Sequence, residues 1–250
     1  MGTLRSDLPE LPTRIKALPV DHRGYPVPWF VAWIDGKPDF RVADARKRVI
    51  AVNEHRCWIC GERLGTYLAF VIGPMCAVNR ISSEPPSHRD CAEFSARACP
   101  FLARPHAKRR EAGLPETKVD PAGIMLERNP GVALIWITKG YRIIRTADGI
   151  LFEVGPPREW LAFAEGRRAT PEELQHSIVT GLPLLREIAE NDPKRGAIAL
   201  LNDQIRNASR LLGVELPYTA PKPSELRGSA SRMSAMTAMA AITAVAGLVE

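Results

Sequence analysis

Residues 57–61 read Cys-Trp-Ile-Cys-Gly, and residues 88–91 read His-Arg-Asp-Cys. Two thiols with two residues between them can reach one metal ion from a single tight turn. The glycine after the second relieves crowding where backbone amides turn inward toward the sulfurs. A structural site needs four donors, so a second pair must come from elsewhere in the chain. His88 and Cys91 stand three apart at the start of a predicted helix, where positions i and i+3 share a face. Cys57, Cys60, His88 and Cys91 are therefore the candidate ligands, with structural zinc as the cofactor. Cys76 and Cys99 are alternatives to His88 as the fourth ligand. Cys76 lies in an apolar run that suits a core, and Cys99 follows Cys91 by about two helical turns.

Two other readings of the Cys-x-x-Cys pair compete. A thioredoxin-like redox pair sits at the start of a helix after a parallel strand, whereas Glu62 and Arg63 here lead into Leu64-Gly65 and a strand-like run. Inert buried thiols would leave the spacing to chance. Five cysteines is an odd number, and no secretory leader is read at the N-terminus, so a disulfide framework is not expected and the expected compartment is the cytoplasm.

The order of knuckle, strand pair and ligand-bearing helix over residues 55–101 resembles the treble-clef zinc fingers. That resemblance implies a structural zinc but no particular activity, since the fold hosts many functions. Runs such as YPVPWFVAWIDGKPDF and FVIGPMCAVNRISSEPPSHRDCA resemble uncharacterised proteins of actinobacteria and their phages, which likewise names no activity.

The expected fold class is α+β, and the chain divides by composition. Residues 1–24 are rich in proline and charge and read as an extended arm. Residues 25–103 carry a β-hairpin and the zinc module. Trp29–Ile34 and Phe40–Val42 are its strands around an Asp35-Gly36 turn, and a short helix follows, capped by Asp44 with Val49, Ile50 and Val52 as its stripe. Within the module, YLAFVIGPMCAVN reads as two strands around Gly73-Pro74. Residues 104–123 are a basic linker. Residues 124–216 begin with a three-stranded meander broken at Lys139-Gly140 and Asp148-Gly149. Three helices follow in this reading: PREWLAFAEG; a segment capped by Thr170 and broken at Gly181-Leu182-Pro183; and one opened by Asp192-Pro193 and closed by Gly213. Residues 217–250 are a linker and an apolar tail of alanine and methionine, too weakly hydrophobic to make a membrane anchor the favoured reading.

The formal net charge is +6, and residues 1–120 hold 19 Lys/Arg against 14 Asp/Glu while residues 121–250 hold 15 against 14. The surplus thus accompanies the cysteines. Trp29, Arg41, Arg46, Lys47 and Arg48, with Arg104, Lys108, Arg109 and Arg110 downstream, mix rings and cations in the way a nucleic-acid surface does. The bland reading is that the aromatics are core and the basic runs are solvated loops. Catalytic motifs are missing: there is no glycine-rich phosphate loop, Gly-x-Ser-x-Gly elbow, His-Glu-x-x-His or deaminase signature. Three functions remain: a non-enzymatic zinc-binding accessory protein contacting nucleic acid; a zinc-stapled adaptor that binds a protein partner or itself through the second half; and an HNH-type nuclease using His55 and His88, with Asn79 in the hairpin that would need a histidine it lacks.

Overall fold

The computed structural model describes residues 2–103, 112–114, 122–125, 131–217 and 242–243. The elements run α1 (Thr13–Lys16), β1 (Val31–Ile34), β2 (Lys37–Ala43), α2 (Ala45–Asn53), β3 (Leu68–Ile72), α3 (Pro74–Asn79), β4 (Ile81–Ser82), α4 (Arg89–Ala98), β5 (Ile124–Met125), β6 (Ala133–Thr138), β7 (Tyr141–Thr146), β8 (Gly149–Val154), β9 (Glu159–Ala164), β10 (Arg167–Arg168), α5 (Pro171–Asn191), α6 (Ala197–Leu212) and β11 (Ile242–Thr243). This is the expected α+β class, with an N-terminal hairpin ahead of antiparallel sheets and helices.

The central feature is a four-stranded antiparallel sheet in the order β10-β9-β6-β3. Every residue of β6 is buried, because both faces of the sheet are covered. Side chains alternate across a strand, so Leu134 and Trp136 enter the main core while Ile135 and Ile137 face the other way. β3 divides similarly, with Leu68, Phe70 and Ile72 on the main-core side and Ala69 opposite. The main core is closed by α3, α5, α6 and Phe152 of β8. The opposite face is covered by α4, whose Ala92 and Ala96 are small enough to let the helix lie close to Ile135, Ile137, Leu161 and Phe163. Because β3 pairs with β6, the stretches before and after the expected linker 104–123 share one sheet and one core.

Several expectations are corrected. The first strand begins at Val31 rather than Trp29, although the Asp35-Gly36 turn and the Asp44 cap are present: Asp35 and Gly36 both have positive φ, and Asp44 accepts from the amides of Arg46 and Lys47. In α2 it is Ala51 that is buried, while Val49 is exposed. The expected strand pair around Gly73-Pro74 is a strand followed by a helix. Pro74 occupies the first turn, where its missing N–H costs nothing, and Arg80 ends the helix in the left-handed region. The meander is split: β7 and β8 pair with each other, β8 also pairs with β4, and β6 leaves for the central sheet. PREWLAFAEG holds a strand, β9, which pairs with β6 over Glu159–Phe163 and turns at Glu165-Gly166, both at positive φ, into β10. Helix α5 runs through Pro183 without a break. Gly181 is there for closeness, since a Cβ on it would lie 2.7 Å from Met75 Sδ of α3, and buried Ile178, Leu182 and Leu185 hold the helix on either side. The last helix starts at Ala197 behind Gly196, while Asp192 caps the end of α5; the closing Gly213 is as expected.

The arm is tied down. Ile15 of α1 is fully buried, Gly2 N–H donates to Val20 O, and Arg5 N–H donates to Gly24 O. Of the tail, Ile242–Thr243 pairs in parallel with Ile124–Met125, and the rest lies outside the described residues. Among the described residues no helix is long and apolar enough to cross a membrane.

The closeness of α4 to the sheet makes a prediction. Ala96→Leu overfills the contact with Ile135 and Phe163 and should cost about 1–3 kcal/mol. The denaturant midpoint of the metal-loaded protein should fall accordingly, and an unchanged midpoint would contradict the packing described.

Candidate metal centre

The chain leaves α2 through His55, whose φ of +50° reverses its direction. Arg56 and Arg63 then bridge as the base of a narrow loop, inside which Cys57 N–H donates to Glu62 O at 2.7 Å and Gly61 N–H to Cys57 O at 2.9 Å. Gly61 sits at φ +78°, and a Cβ there would be 2.6 Å from the Trp29 ring, so both backbone conformation and lack of space demand glycine. The loop is held from outside by Trp29 N–H on Ile59 O and by Trp58, which stacks on Phe30 with centroids 4.9 Å apart.

The second half of the site arrives through residues 84–88. Trp58 N–H donates to Pro86 O, and Ser87 exchanges two backbone bonds with Ala69 of β3, at 2.7 and 2.9 Å. His88 is the N-cap of α4, which puts Cys91 in the first helical turn. There the orphan amides and the helix dipole favour a thiolate.

These elements gather Cys57, Cys60, His88 and Cys91, with all four donor atoms within 4.8 Å of one another. Cys57 and Cys91 are wholly buried, and Cys60 and His88 are partly so. The amides of Cys60 and His88 both point at Cys57 Sγ, each at 3.4 Å. His88 Nε2 is 2.9 Å from Arg63 O, where it serves as the N–H donor, and this turns the lone pair of Nδ1 toward Cys60 Sγ, 3.4 Å away. Such a second bond fixes the tautomer and orientation of an imidazole ligand. Ile15, Ile59 and Phe94 enclose the sulfurs. Arg14 of α1 spans the two ligand segments, bonding Glu62 beside Cys60 at 3.0 Å and Asp90 beside Cys91 at 3.1 Å.

The donors perturb one another strongly. Burial pushes the Cys57 thiol up, but hydrogen bonds from Cys60, Cys91 and His88 outweigh it and hold it well below the usual thiol range. Cys60 is pushed up to about 12, first by its hydrogen bond to the Cys57 thiolate. Cys91 is raised further by its bonds to Cys57 and Cys60, and His88 is raised first by its hydrogen bond to Cys57 and then by the charge there. Three thiolates this close repel one another, and a divalent cation at their centre removes the repulsion. The cluster is thus able to hold a metal ion.

The other cysteines stand apart. Cys76 is in α3 within the main core, its thiol pushed up to about 12 by burial, and Cys99 ends α4, pushed up to about 11 by burial. His55 is an exposed loop residue, and Asn79 is buried with its Oδ1 accepting from Ile81 N–H. The hairpin on which a nuclease site would stand is the strand and helix β3–α3.

Several expected nucleic-acid residues are engaged within the fold. Trp29 is half-buried against the knuckle. Arg41 pairs with Asp39 and donates to Ala112 O. Lys47 Nζ donates to Val31 O and lies over the Trp29 ring. Arg48 donates to Ser83 O at 2.7 Å and lies over Trp58, with burial lowering its pKa. Arg46 is exposed. Arg104, Lys108, Arg109 and Arg110 lie outside the described residues. Sequence reasoning missed Arg14 and the Arg63 carbonyl: a lone arginine in a proline-rich arm gives no signal, and a backbone acceptor gives none at all.

In comparisons with known proteins, the chain matches no family model, no curated protein and no solved structure.

Metal ligands must be deprotonated. With Cys60 and Cys91 raised, both hold protons at neutral pH in the ion-free protein, and the ion must displace them. Binding should therefore release protons and weaken steadily from pH 8 to pH 6. Competition against a chromophoric chelator at several pH values reads this directly; a pH-independent affinity would mean that these thiols are not ligands.

Proposed function

We propose that this chain is a non-enzymatic accessory protein built around one structural zinc ion, and that it contacts nucleic acid. The observation that carries the zinc reading is the closed donor set: three sulfurs and one imidazole nitrogen, converging from two segments and enclosed by Ile15, Ile59 and Phe94. Soft thiolates with one imidazole in a tetrahedral arrangement suit zinc. Thiolate–zinc bonds of about 2.3 Å place sulfurs of one tetrahedron about 3.8 Å apart, which the observed spacing accommodates. Four protein ligands leave no position for a water or substrate, and closure of that kind marks structural rather than catalytic zinc.

A treble-clef-like layout supports the same reading. The knuckle at Cys57–Cys60 is followed by β3, which pairs at Ala69 with Ser87 just before the ligand helix α4. Residues 70–86, containing α3 and β4, are then an insertion between the two arms of that short pairing.

The nucleic-acid part rests on the basic surplus of residues 1–120 and, in the N-terminal half, on exposed Arg46 and on Trp33, which is 49% exposed on β1. Cations pair with phosphates and rings stack on bases.

Two measurements test this. Elemental mass spectrometry of the purified protein should find one zinc per chain, lost in Cys57→Ser and strongly reduced in His88→Ala, with cooperative unfolding at a much lower temperature in both. A fully folded, metal-free wild type would refute the zinc reading. Fluorescence anisotropy with mixed DNA and RNA probes at low salt should show binding that weakens as salt is added, and no binding in any salt would refute the nucleic-acid reading.

A further inference from the structure

We infer that the groove between the end of β6 and the β7–β8 ribbon binds the phosphate backbone of a single-stranded nucleic acid, with Tyr67 at its rim as a stacking surface for one base. This deepens, and rests on, the nucleic-acid reading above, and it places the principal contact on residues other than 41–48.

The groove encloses about 520 Å³ and is open to solvent. Arg80, Lys139, Arg142 and Arg158 line it, and Glu153 is the one carboxylate among its lining residues. Arg142 is neutralised by Glu153, with Nε to Oε2 at 2.6 Å. Lys139 and Arg158 are left over, and Arg80 in part. Arg80 gives Nε and Nη2 to Val154 O at 3.1 and 3.0 Å, which fixes the guanidinium plane and leaves Nη1 for a ligand. Lys139 and Arg158 are both exposed, and neither has an ion pair among the described residues. Three cations around one groove with a single, already paired carboxylate suit the evenly spaced charges of a phosphodiester chain.

The frame beneath these side chains is firm. Gly155 N–H donates to Gly140 O at 3.0 Å, Arg158 N–H to Ile137 O at 2.7 Å, and the Thr138 hydroxyl to Pro156 O at 2.9 Å. The two loops carrying Lys139 and Arg158 are thereby joined to each other and to the central sheet, so the cations project from a pre-set surface.

Tyr67 distinguishes a single strand from a duplex. It precedes β3, next to the paired Leu68 and Thr138, and it is 52% exposed. Lys139 Nζ lies 5.7 Å from its ring centroid, so ring and cation share one rim of the groove. A ring beside a phosphate-binding cation can take an unpaired base, whereas a duplex keeps its base faces covered.

The test uses the full-length, metal-loaded protein and a labelled oligothymidylate of about 12 nucleotides, followed by anisotropy across a salt series. Lys139→Ala/Arg158→Ala should weaken binding roughly tenfold or more and flatten the slope of log affinity against log salt by about 1.4, from two lost contacts of about 0.7 each. Tyr67→Ala should weaken binding roughly tenfold and leave the salt slope unchanged. Arg46→Ala should cost less than the double variant, and a duplex of equal length should bind more weakly than the single strand. All four positions are exposed, and zinc content with the unfolding midpoint confirms that each variant is folded. If the wild type binds but the double variant binds equally well, the groove is the wrong surface while the nucleic-acid reading stands. If the duplex binds as tightly and Tyr67→Ala changes nothing, the single-strand assignment is overturned. A wild type that binds no nucleic acid removes both.

Discussion

Three sulfurs and an imidazole nitrogen packed within 4.8 Å of one another are the constraint on which the N-terminal half depends. Without a cation the sulfurs drive one another's acidity apart, Cys57 held low and Cys60 and Cys91 raised by their hydrogen bonds to it. Such an arrangement uses weak S–H donors and leaves buried charge poorly compensated. A divalent ion would replace it with strong bonds to all four donors, and because the candidate ligands come from two separated segments, its binding free energy would become folding free energy. The surroundings follow from that point. The knuckle loop positions Trp58 for Phe30 and Gly61 for Trp29, so the hairpin docks on the loop that carries Cys57 and Cys60. Arg14 links the acids next to two of the ligands and so brings the N-terminal arm to the same place.

The ligand helix connects this centre to the rest of the molecule. One face of α4 gives Cys91 and Phe94 to the metal cluster, while Ala92 and Ala96 lie on the central sheet. On the far side of that sheet, Leu134 and Trp136 of β6 enter the main core with α5 and α6. A disturbance at the sulfurs is therefore one helix away from the sheet, and one strand away from the C-terminal helices. A strand buried on both faces does not tolerate a shift in register, since a one-residue slip would exchange the side chains of two separate cores.

The same packing explains how far the sequence could be read. The clustering of Cys57, Cys60, His88 and Cys91 was legible because metal chemistry demands specific residue types at specific spacings, and the Asp44 and Thr170 caps because each satisfies local amides. What misled was tertiary. Glu159–Ala164 is made of good helix formers, yet it lies beside β6, where its alternation of Leu161 and Phe163 with Trp160 and Ala162 serves two cores at once; the Glu165-Gly166 turn was the local sign of a hairpin. Gly181 and Pro183 read as helix breakers, but Met75 needs the space at Gly181 and the buried leucines keep the helix whole. Gly73-Pro74 read as a strand turn, although proline in a first helical turn is equally at home. The partition of the meander was invisible locally, because nothing in β6 itself says that its partners are β3 and β9.

Charge shows the same difference between composition and placement. The cations of residues 41–48 are dense in sequence, yet Arg41, Lys47 and Arg48 are used by Asp39, Val31 O and Ser83 O and serve the fold. Lys139 and Arg158 attract no notice in the sequence, but the turns after β6 and β8 bring them to one groove, beside Arg80, whose guanidinium is itself held by Val154 O. A cation committed to an internal acceptor must give up that bond before it can take a phosphate, whereas an exposed one with no partner needs only to exchange water and counterions. By that argument the proposed polyanion contact is to be sought among basic side chains that the fold leaves exposed and without an ion pair, and among the described residues Lys139 and Arg158, from the half of the chain that is nearly neutral by count, meet that condition where Arg41, Lys47 and Arg48 do not.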